Sequence, residues 1–97
     1  MTWEFEAPLW VAEGTGTWHF VSLPPTSAEE IRDRVDGSRP GFGAVAVEVS
    51  VGRTTWRTSV FPDGKRGTYV LPVKQGVRRA EGLGEGDVVL VRLELLG

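Results

Sequence analysis

Residues 68–95 read TYVLPVKQGVRRAEGLGEGDVVLVRLEL, and this stretch combines four structural signals. It opens with a short strand that ends in Leu-Pro and continues into a short basic helix, predicted over residues 73–81. Gly82 is expected to end that helix, because glycine readily adopts the left-handed conformation found at helix ends. A tight glycine-rich turn closed by Asp87 then leads into a long strand with alternating apolar residues. Strand, helix, turn and strand in this order indicate a compact fold built mainly from β-strands.

Four further segments upstream alternate apolar and polar residues with a period of two, as half-buried strands do. The strongest pattern covers residues 45–51, where four valines alternate with alanine, glutamate and serine. The other segments cover residues 3–11, 17–23 and 54–61. Short turns separate most of the strands, which favours an antiparallel sheet over strand–helix–strand units.

Individual residues sharpen these predictions. Pro8 cannot donate a ladder hydrogen bond, so the first strand is expected to lie at an edge or to bulge there. Trp18 and Phe20 are predicted to form the inner face of the second strand. Pro72 suits the first turn of the second helix, since its missing N–H would be unpaired there. Gly76 inside that helix costs up to about 1 kcal/mol relative to alanine, which suggests that a neighbouring group packs closely against it.

A first short helix follows the Pro24-Pro25 step. Thr26 or Ser27 is predicted to cap it, with Glu29 or Glu30 completing a capping box, and Gly37 is predicted to end it. Such a short helix is expected to cover one open side of the sheet.

The resulting prediction is a single mainly β domain over residues 1–97. We expect a small closed or nearly closed barrel of about six mostly antiparallel strands with two short helices, since closure removes exposed sheet edges. The 97 residues are 40% apolar and 25% charged, as in ordinary globular proteins. Neither a signal-peptide pattern nor a membrane-spanning apolar run occurs, so a cytoplasmic location is expected.

Several kinds of chemistry find no support in the sequence. The absence of cysteine excludes disulfides, thiolate metal sites and thiol nucleophiles. His19 is the single histidine, and its position in a strand favours an exposed or hydrogen-bonded residue over a general base. The run Gly82-x-Gly84-x-Gly86 matches neither a dinucleotide fingerprint nor a phosphate-binding loop. We therefore expect no enzymatic activity, no cofactor and no metal site.

Local charge supplies one functional hypothesis. Residues 63–79 hold five basic residues and one acid, Asp63, in a chain whose net charge is −2. If the turn at 63–67 folds beside the second helix, the basic residues form a cationic patch; the alternatives are a solvated face or pairing with acids elsewhere. The basic residues are Lys65, Arg66, Lys74, Arg78 and Arg79.

Aromatic residues supply a second hypothesis. Their usual role is burial in the core, but Trp10 and Phe61 lie on the faces opposite the main apolar rows of their strands. A pocket for a small planar or anionic ligand could form here. Arg57, Lys74 and Arg78 would hold the charge, and Trp56 or Phe61 would supply a flat wall. The sequence thus predicts a non-enzymatic binding module acting as a monomer or homodimer.

The chain also resembles a known family in four successive segments, and the resemblance covers nearly its whole length. The segments are FEAPLW at 5–10, WHFVSLP at 18–24, WRTSVFP at 56–62 and YVLPVK at 69–74. Together with VRRAEGL at 77–83 and GDVV at 86–89, they are similar to the bacterial DUF1905 family. The resemblance implies a compact β-barrel domain with no established activity and no catalytic residues to transfer.

A second, partial resemblance is confined to the quoted stretch. Four short segments are similar to the swapped-hairpin motif of AbrB/MazE-type transcription factors: Leu71-Pro72, VRRA at 77–80, Gly82-Leu83 and Gly86-Asp87. That resemblance implies an alternative function, DNA binding by an intertwined dimer. In that case Lys65, Arg66, Lys74, Arg78 and Arg79 would contact nucleic acid. The competing interpretation is a generic barrel element that does not bind DNA.

Overall fold

The structure, a computed structural model, describes residues 1–14, 18–35 and 43–96. These residues form seven strands and two helices. In chain order the elements are β1 (Thr2–Pro8), β2 (Trp10–Val11), β3 (His19–Ser22), α1 (Pro25–Arg34), β4 (Val45–Val51), β5 (Thr54–Asp63), β6 (Thr68–Pro72), α2 (Gln75–Glu81) and β7 (Val88–Leu95).

The strands of the described residues form one sheet in the order β1-β7-β4-β5-β6-β3-β2, and each pairing among them is antiparallel. The sheet curls into an open half-barrel, so the prediction of a closed or nearly closed barrel with about six strands is corrected. The additional strand arises because the segment predicted over residues 3–11 divides at Leu9. Pro8 is the last residue of β1, and β1 lies at an edge of the sheet, as the missing N–H of Pro8 predicts. Leu9 then donates its N–H to the Asp87 carbonyl at 2.9 Å.

The core lies on the inner face of the curled sheet. Alternate residues of β1, β4 and β7 are buried, which confirms the period-two patterns predicted for these strands. In register across three strands, Val49 of β4 lies beside Leu93 of β7, and Leu93 lies beside Trp3 of β1. Both Val49 and Leu93 are fully buried. Burial of each such aliphatic side chain contributes roughly 1.5–3 kcal/mol.

The first helix begins one residue earlier than its predicted cap. Pro24 is the N-cap of α1 and makes no side-chain cap hydrogen bond, so the prediction of Thr26 or Ser27 as the cap is wrong. Proline in the first turn presets a helical φ and has no N–H to leave unpaired, which replaces the side-chain cap. Ser27 is instead buried together with Ile31 on the face of α1 that packs against the core. The predicted terminator Gly37 lies outside the described residues.

The second helix begins later than predicted, at Gln75. Pro72 belongs to β6, where it pairs with Phe20, and the next residue, Val73, donates its N–H to the His19 carbonyl at 2.9 Å. Gly82 ends α2 in the left-handed conformation with φ 65°, as predicted. Gly76 is exposed, and a Cβ built on it meets no atom within 4 Å. The close contact inferred for Gly76 is therefore wrong.

The inner face of β3 is the reverse of the predicted one. Val21 and Leu23 are buried, whereas Trp18 is 55% exposed and Phe20 is half-buried. The register with β6 explains the reversal, because Val21 pairs with the fully buried Leu71. The two helices found in the described residues have ten and seven residues, and neither could cross a bilayer.

Candidate functional site

A cleft of about 300 Å³ opens between α2 and the neighbouring strands β3, β5 and β6. This volume is at the lower end of the range of about 300–1,000 Å³ that small-molecule sites occupy. Among the described residues, three of those that line the cleft are cationic and none is acidic. The lining residues are Trp18, His19, Trp56, Arg57, Thr58, Pro72, Val73, Lys74, Gln75 and Arg78.

Strand β5 supplies one wall of the cleft. Trp56 and Thr58 share a strand face with the fully buried Val60, and Trp56 is half-buried where it packs against the core. Arg57 projects from the opposite face of the strand and is exposed. Its Nε donates to Oε1 of Glu48, its partner across the β4–β5 ladder, at 3.3 Å. The cation predicted at Arg57 therefore lies at the rim, where Glu48 balances its charge.

Helix α2 supplies the opposite wall. Lys74 is its N-cap residue, and the Lys74 carbonyl accepts the backbone N–H of Arg78 at 3.1 Å. Residues four apart lie on the same side of a helix, so the two cations border the cleft together. Lys74 is exposed, whereas Arg78 is half-buried. The structure thus brings two of the predicted ligand-binding residues, Lys74 and Arg78, to the same cleft.

Two contacts hold the guanidinium of Arg78. Its Nε donates to the backbone carbonyl of Val73 at 3.1 Å. Its Nη1 lies 3.5 Å from Nε2 of His19, which is half-buried at the start of β3. Val73 in turn donates its N–H to the His19 carbonyl, so His19, Val73 and Arg78 form one connected unit. A guanidinium has five N–H donors in a planar fork, so these contacts orient Arg78 while leaving donors for a further acceptor.

Trp18 and His19 are among the lining residues that the sequence pattern did not indicate. Both follow from the face of β3: because Val21 and Leu23 point to the core, His19 lies on their side of the strand and Trp18 on the outer side. The spacing of Val21 and Leu23, two aliphatic residues two positions apart, is the signal that could have identified the inner face and so placed Trp18 and His19. The sequence-based prediction instead assigns the inner face to the larger aromatic pair, Trp18 and Phe20.

Three predicted residues lie elsewhere. Trp10 is half-buried in β2 and does not line the cleft. Phe61 is 42% exposed on the outer face of β5 and does not line the cleft. Arg79 is exposed and does not line it either.

The predicted cationic patch is divided between two places. Lys65 and Arg66 lie in the turn that precedes β6, whereas Lys74 and Arg78 follow it. The five residues of β6 span roughly 17 Å at the usual rise of a strand. The turn at 63–67 and α2 thus adjoin opposite ends of β6, and the five basic residues are divided between these two ends.

The turn before β6 is organised by Asp63. Its carboxylate accepts hydrogen bonds from Nη1 of Arg66 at 2.8 Å and from the backbone N–H groups of Lys65 and Arg66. The side-chain hydrogen bond from Arg66 is the main cause that holds the pKa of Asp63 below its ordinary value, against the opposing effect of burial. The Arg66 charge is thus largely balanced by a near neighbour.

A row of aromatic rings joins the cleft to this turn along the outer face of β3 and β2. Trp18 stacks on Phe20 with ring centroids 6.0 Å apart and planes 14° apart. Phe20 contacts Trp10 at 5.1 Å. Trp10 is fixed by a 3.0 Å hydrogen bond from Nε1 to Ser22, and the Arg66 guanidinium lies over its ring at 4.0 Å. We call Trp18, Phe20 and Trp10 the aromatic row.

The cleft offers side chains that suit an anion. Within residues 1–14, 18–35 and 43–96, no three His, Asp or Glu side chains are grouped closely enough to hold a metal ion. The donors that face the cleft, a guanidinium and an ammonium, instead match the oxygens of a carboxylate or phosphate.

A protein-family model matches residues 5–93 of the chain. The matching model is described as "Domain of unknown function (DUF1905)". A search of curated proteins finds no match.

Proposed function

Because this chain belongs to the DUF1905 family, whose description assigns no activity, we propose a function from the geometry of the cleft. The protein is a non-enzymatic binding module that holds a small anionic ligand between α2 and β5. Arg78 is the main anchor of the ligand, Lys74 supplies a second positive charge, and Trp56 forms an apolar wall. Arg57 contributes less than the sequence suggests, because Glu48 already balances its charge.

One observation carries this proposal: Arg78 is held in position before any ligand arrives. Its Nε is engaged by the Val73 carbonyl and Nη1 is close to His19, and no described acidic residue lines the cleft. An arginine oriented in advance loses less conformational entropy on binding, which raises affinity. A half-buried position also strengthens its attraction to an anion relative to an exposed cation.

The proposal is tested with a matched pair of variants on the same helix. Arg78→Gln removes the anchor, whereas Arg79→Gln removes an equal charge from the adjacent exposed residue outside the cleft. Two-dimensional NMR titrations with inorganic phosphate, acetate and larger anionic metabolites would give the dissociation constants. We expect Arg78→Gln to weaken binding roughly 10-fold or more, as the loss of a charge-assisted hydrogen bond does, and Arg79→Gln to leave it nearly unchanged.

A second variant separates a binding role from a structural one. Arg78 also bonds to the Val73 carbonyl, so Arg78→Gln lowers stability to some extent. Lys74→Gln removes an exposed charge that makes no side-chain hydrogen bond in the described contacts, and we expect weaker binding without a change in melting temperature. Equal effects of Arg78→Gln and Arg79→Gln, or no binding by the wild type at about 1 mM ligand, would refute the proposal.

A further inference from the structure

We propose that the ligand of this cleft carries a planar ring beside its anionic group, and that the ring stacks on Trp18. This inference rests on the proposed function and deepens it, because it names the chemical class of ligand and a specificity residue that the sequence analysis did not assign. The class is an aromatic or heteroaromatic anion, such as an aryl carboxylate or a nucleoside monophosphate.

Trp18 is unusually exposed for a side chain of its size. It borders the cleft and is 55% exposed, although tryptophan is among the largest apolar side chains and is usually well buried. A wide aromatic surface left open beside a cleft is typical of a site that a ligand covers.

Trp18 is held in place by Phe20 and Trp10, the other residues of the aromatic row. Phe20 stacks against it, Trp10 supports Phe20, and Trp10 is itself fixed by Ser22 and Arg66. An exposed ring supported in this way is oriented before binding. A ligand that stacks on its uncovered surface therefore loses little entropy in ordering the side chain.

The chemistry of the aromatic surface decides which kind of ligand the cleft favours. The face of an aromatic ring carries partial negative charge, so it does not attract a bare anion such as phosphate. The charges of Lys74 and Arg78 account for the anionic part of a ligand, and they leave the aromatic wall unexplained. Pro72, Val73 and Trp56 add apolar surface to the same cleft. A ring attached to the anion uses both parts of the site.

The test compares anions that differ only in a ring. Adenosine 5′-monophosphate is compared with ribose 5-phosphate, and benzoate with acetate, so the two pairs distinguish a phosphate-bearing from a carboxylate-bearing ligand. Binding is followed by NMR at the indole N–H of Trp18 and by tryptophan fluorescence. We expect the ring-bearing member of at least one pair to bind roughly 10-fold or more tightly, since stacking on an aromatic side chain has an effect of this size.

Variants assign the effect to Trp18. We expect Trp18→Ala to remove the advantage of the ring-bearing anion while leaving the affinity for its ringless partner nearly unchanged. Phe61→Ala removes an exposed aromatic side chain outside the cleft, and it should change neither affinity. Trp18→Phe should retain part of the advantage.

The outcomes separate the two proposals. If both members of each pair bind equally and Arg78→Gln abolishes both, anion binding stands and the ring inference is overturned. If a ring-bearing anion binds more tightly but Trp18→Ala has no effect, the assignment of Trp18 is wrong. If no probe binds at about 1 mM, the anion site itself fails, and the ring inference fails with it.

Discussion

The carboxylate of Glu81, at the end of α2, accepts a 2.7 Å hydrogen bond from the hydroxyl of Thr54, at the start of β5. It also accepts the backbone N–H of Arg53 at 3.3 Å. Gly52 lies directly beneath, with φ 59°, and a Cβ there would collide with the same carboxylate. The hairpin between β4 and β5 thus fixes the far end of the helix whose first turn borders the cleft.

We expect Glu81→Ala to lower the free energy of unfolding by about 1–2 kcal/mol, because it removes hydrogen bonds to a charged acceptor at a partly exposed position. Urea unfolding would measure the change. Glu85→Ala, in the exposed turn after α2, is the matched control and should have little effect. A double-mutant cycle with Thr54→Val should give a coupling energy of about 0.5 kcal/mol or more; additive effects would mean that the two side chains do not stabilise each other.

Substitution by alanine should have opposite effects on stability at Gly76 and at Gly82, two glycines of the α2 region. Gly76→Ala places a methyl group in open space within a helix, and we expect stability to rise by about 0.5–1 kcal/mol. Gly82→Ala forces alanine into a left-handed conformation at φ 65°, and we expect a loss of about 1–2 kcal/mol. Thermal and urea unfolding would measure both. A loss of stability in Gly76→Ala would show that a neighbouring group does approach that position.

Protonation of Asp63, in the turn before β6, should lower the stability of the fold in the acid pH range. Because the folded pKa of Asp63 is lower than its ordinary value of 3.8, its ionised form stabilises the fold at pH values above 3.8. That contribution is lost as the pH falls through the folded value. The difference in stability between wild type and Asp63→Asn should therefore be largest at neutral pH and shrink below about pH 4.

The magnitude of this effect is under about 1 kcal/mol, since the Asp63–Arg66 pair is partly exposed to solvent. Urea unfolding at several pH values would measure it. Asp33→Asn, on the exposed face of α1, provides the control for loss of one negative charge. A difference between wild type and Asp63→Asn that stays constant down to pH 2 would contradict the assignment.

Two leucines of β7 test the position of the core. Leu93 is fully buried and Leu90 is 61% exposed on the opposite face of the strand. We expect Leu93→Ala to cost about 2–5 kcal/mol, the usual cost of a cavity left by a buried leucine, and Leu90→Ala to change stability by less than about 0.5 kcal/mol. Calorimetry or urea unfolding would measure both, and similar losses at the two positions would contradict the observed alternation.

The sequence predicts the strands with one dominant apolar face reliably. In β4 and β7, valines and leucines occupy one face while polar or exposed residues occupy most of the other, so a period of two assigns both the strand and its inner side. Gly82 is similarly informative, because few residues other than glycine end a helix in the left-handed conformation.

The face of β3 could not be assigned in the same way, because both of its faces carry apolar residues. Trp18 and Phe20 alternate with Val21 and Leu23, and only the pairing of Val21 with Leu71 decides which set is buried. The composition of the cleft depends on that choice, which is why the sequence did not indicate Trp18 as a lining residue. For Lys74 and Arg78, helix periodicity alone predicts a common side of the second helix.

The open half-barrel also depends on a long-range pairing that local patterns do not specify. Strand β1 pairs with β7, and the Thr2 hydroxyl meets the Glu94 carboxylate at a sequence separation of 92 residues. Local propensity and turn chemistry carry no information about which distant strands become neighbours.

The pairing of β1 with β7 sets the order in which the chain can fold during synthesis. Trp3 and Phe5 leave the ribosome well before the strand that pairs with theirs, which follows some ninety residues later. Contacts between distant residues slow folding, because the intervening loop has to be closed before they form. Until β7 has emerged, β1 lacks the strand with which it pairs in the folded sheet. Strand β1 is thus made before the other strands of this sheet, yet it is among the last of them to be completed.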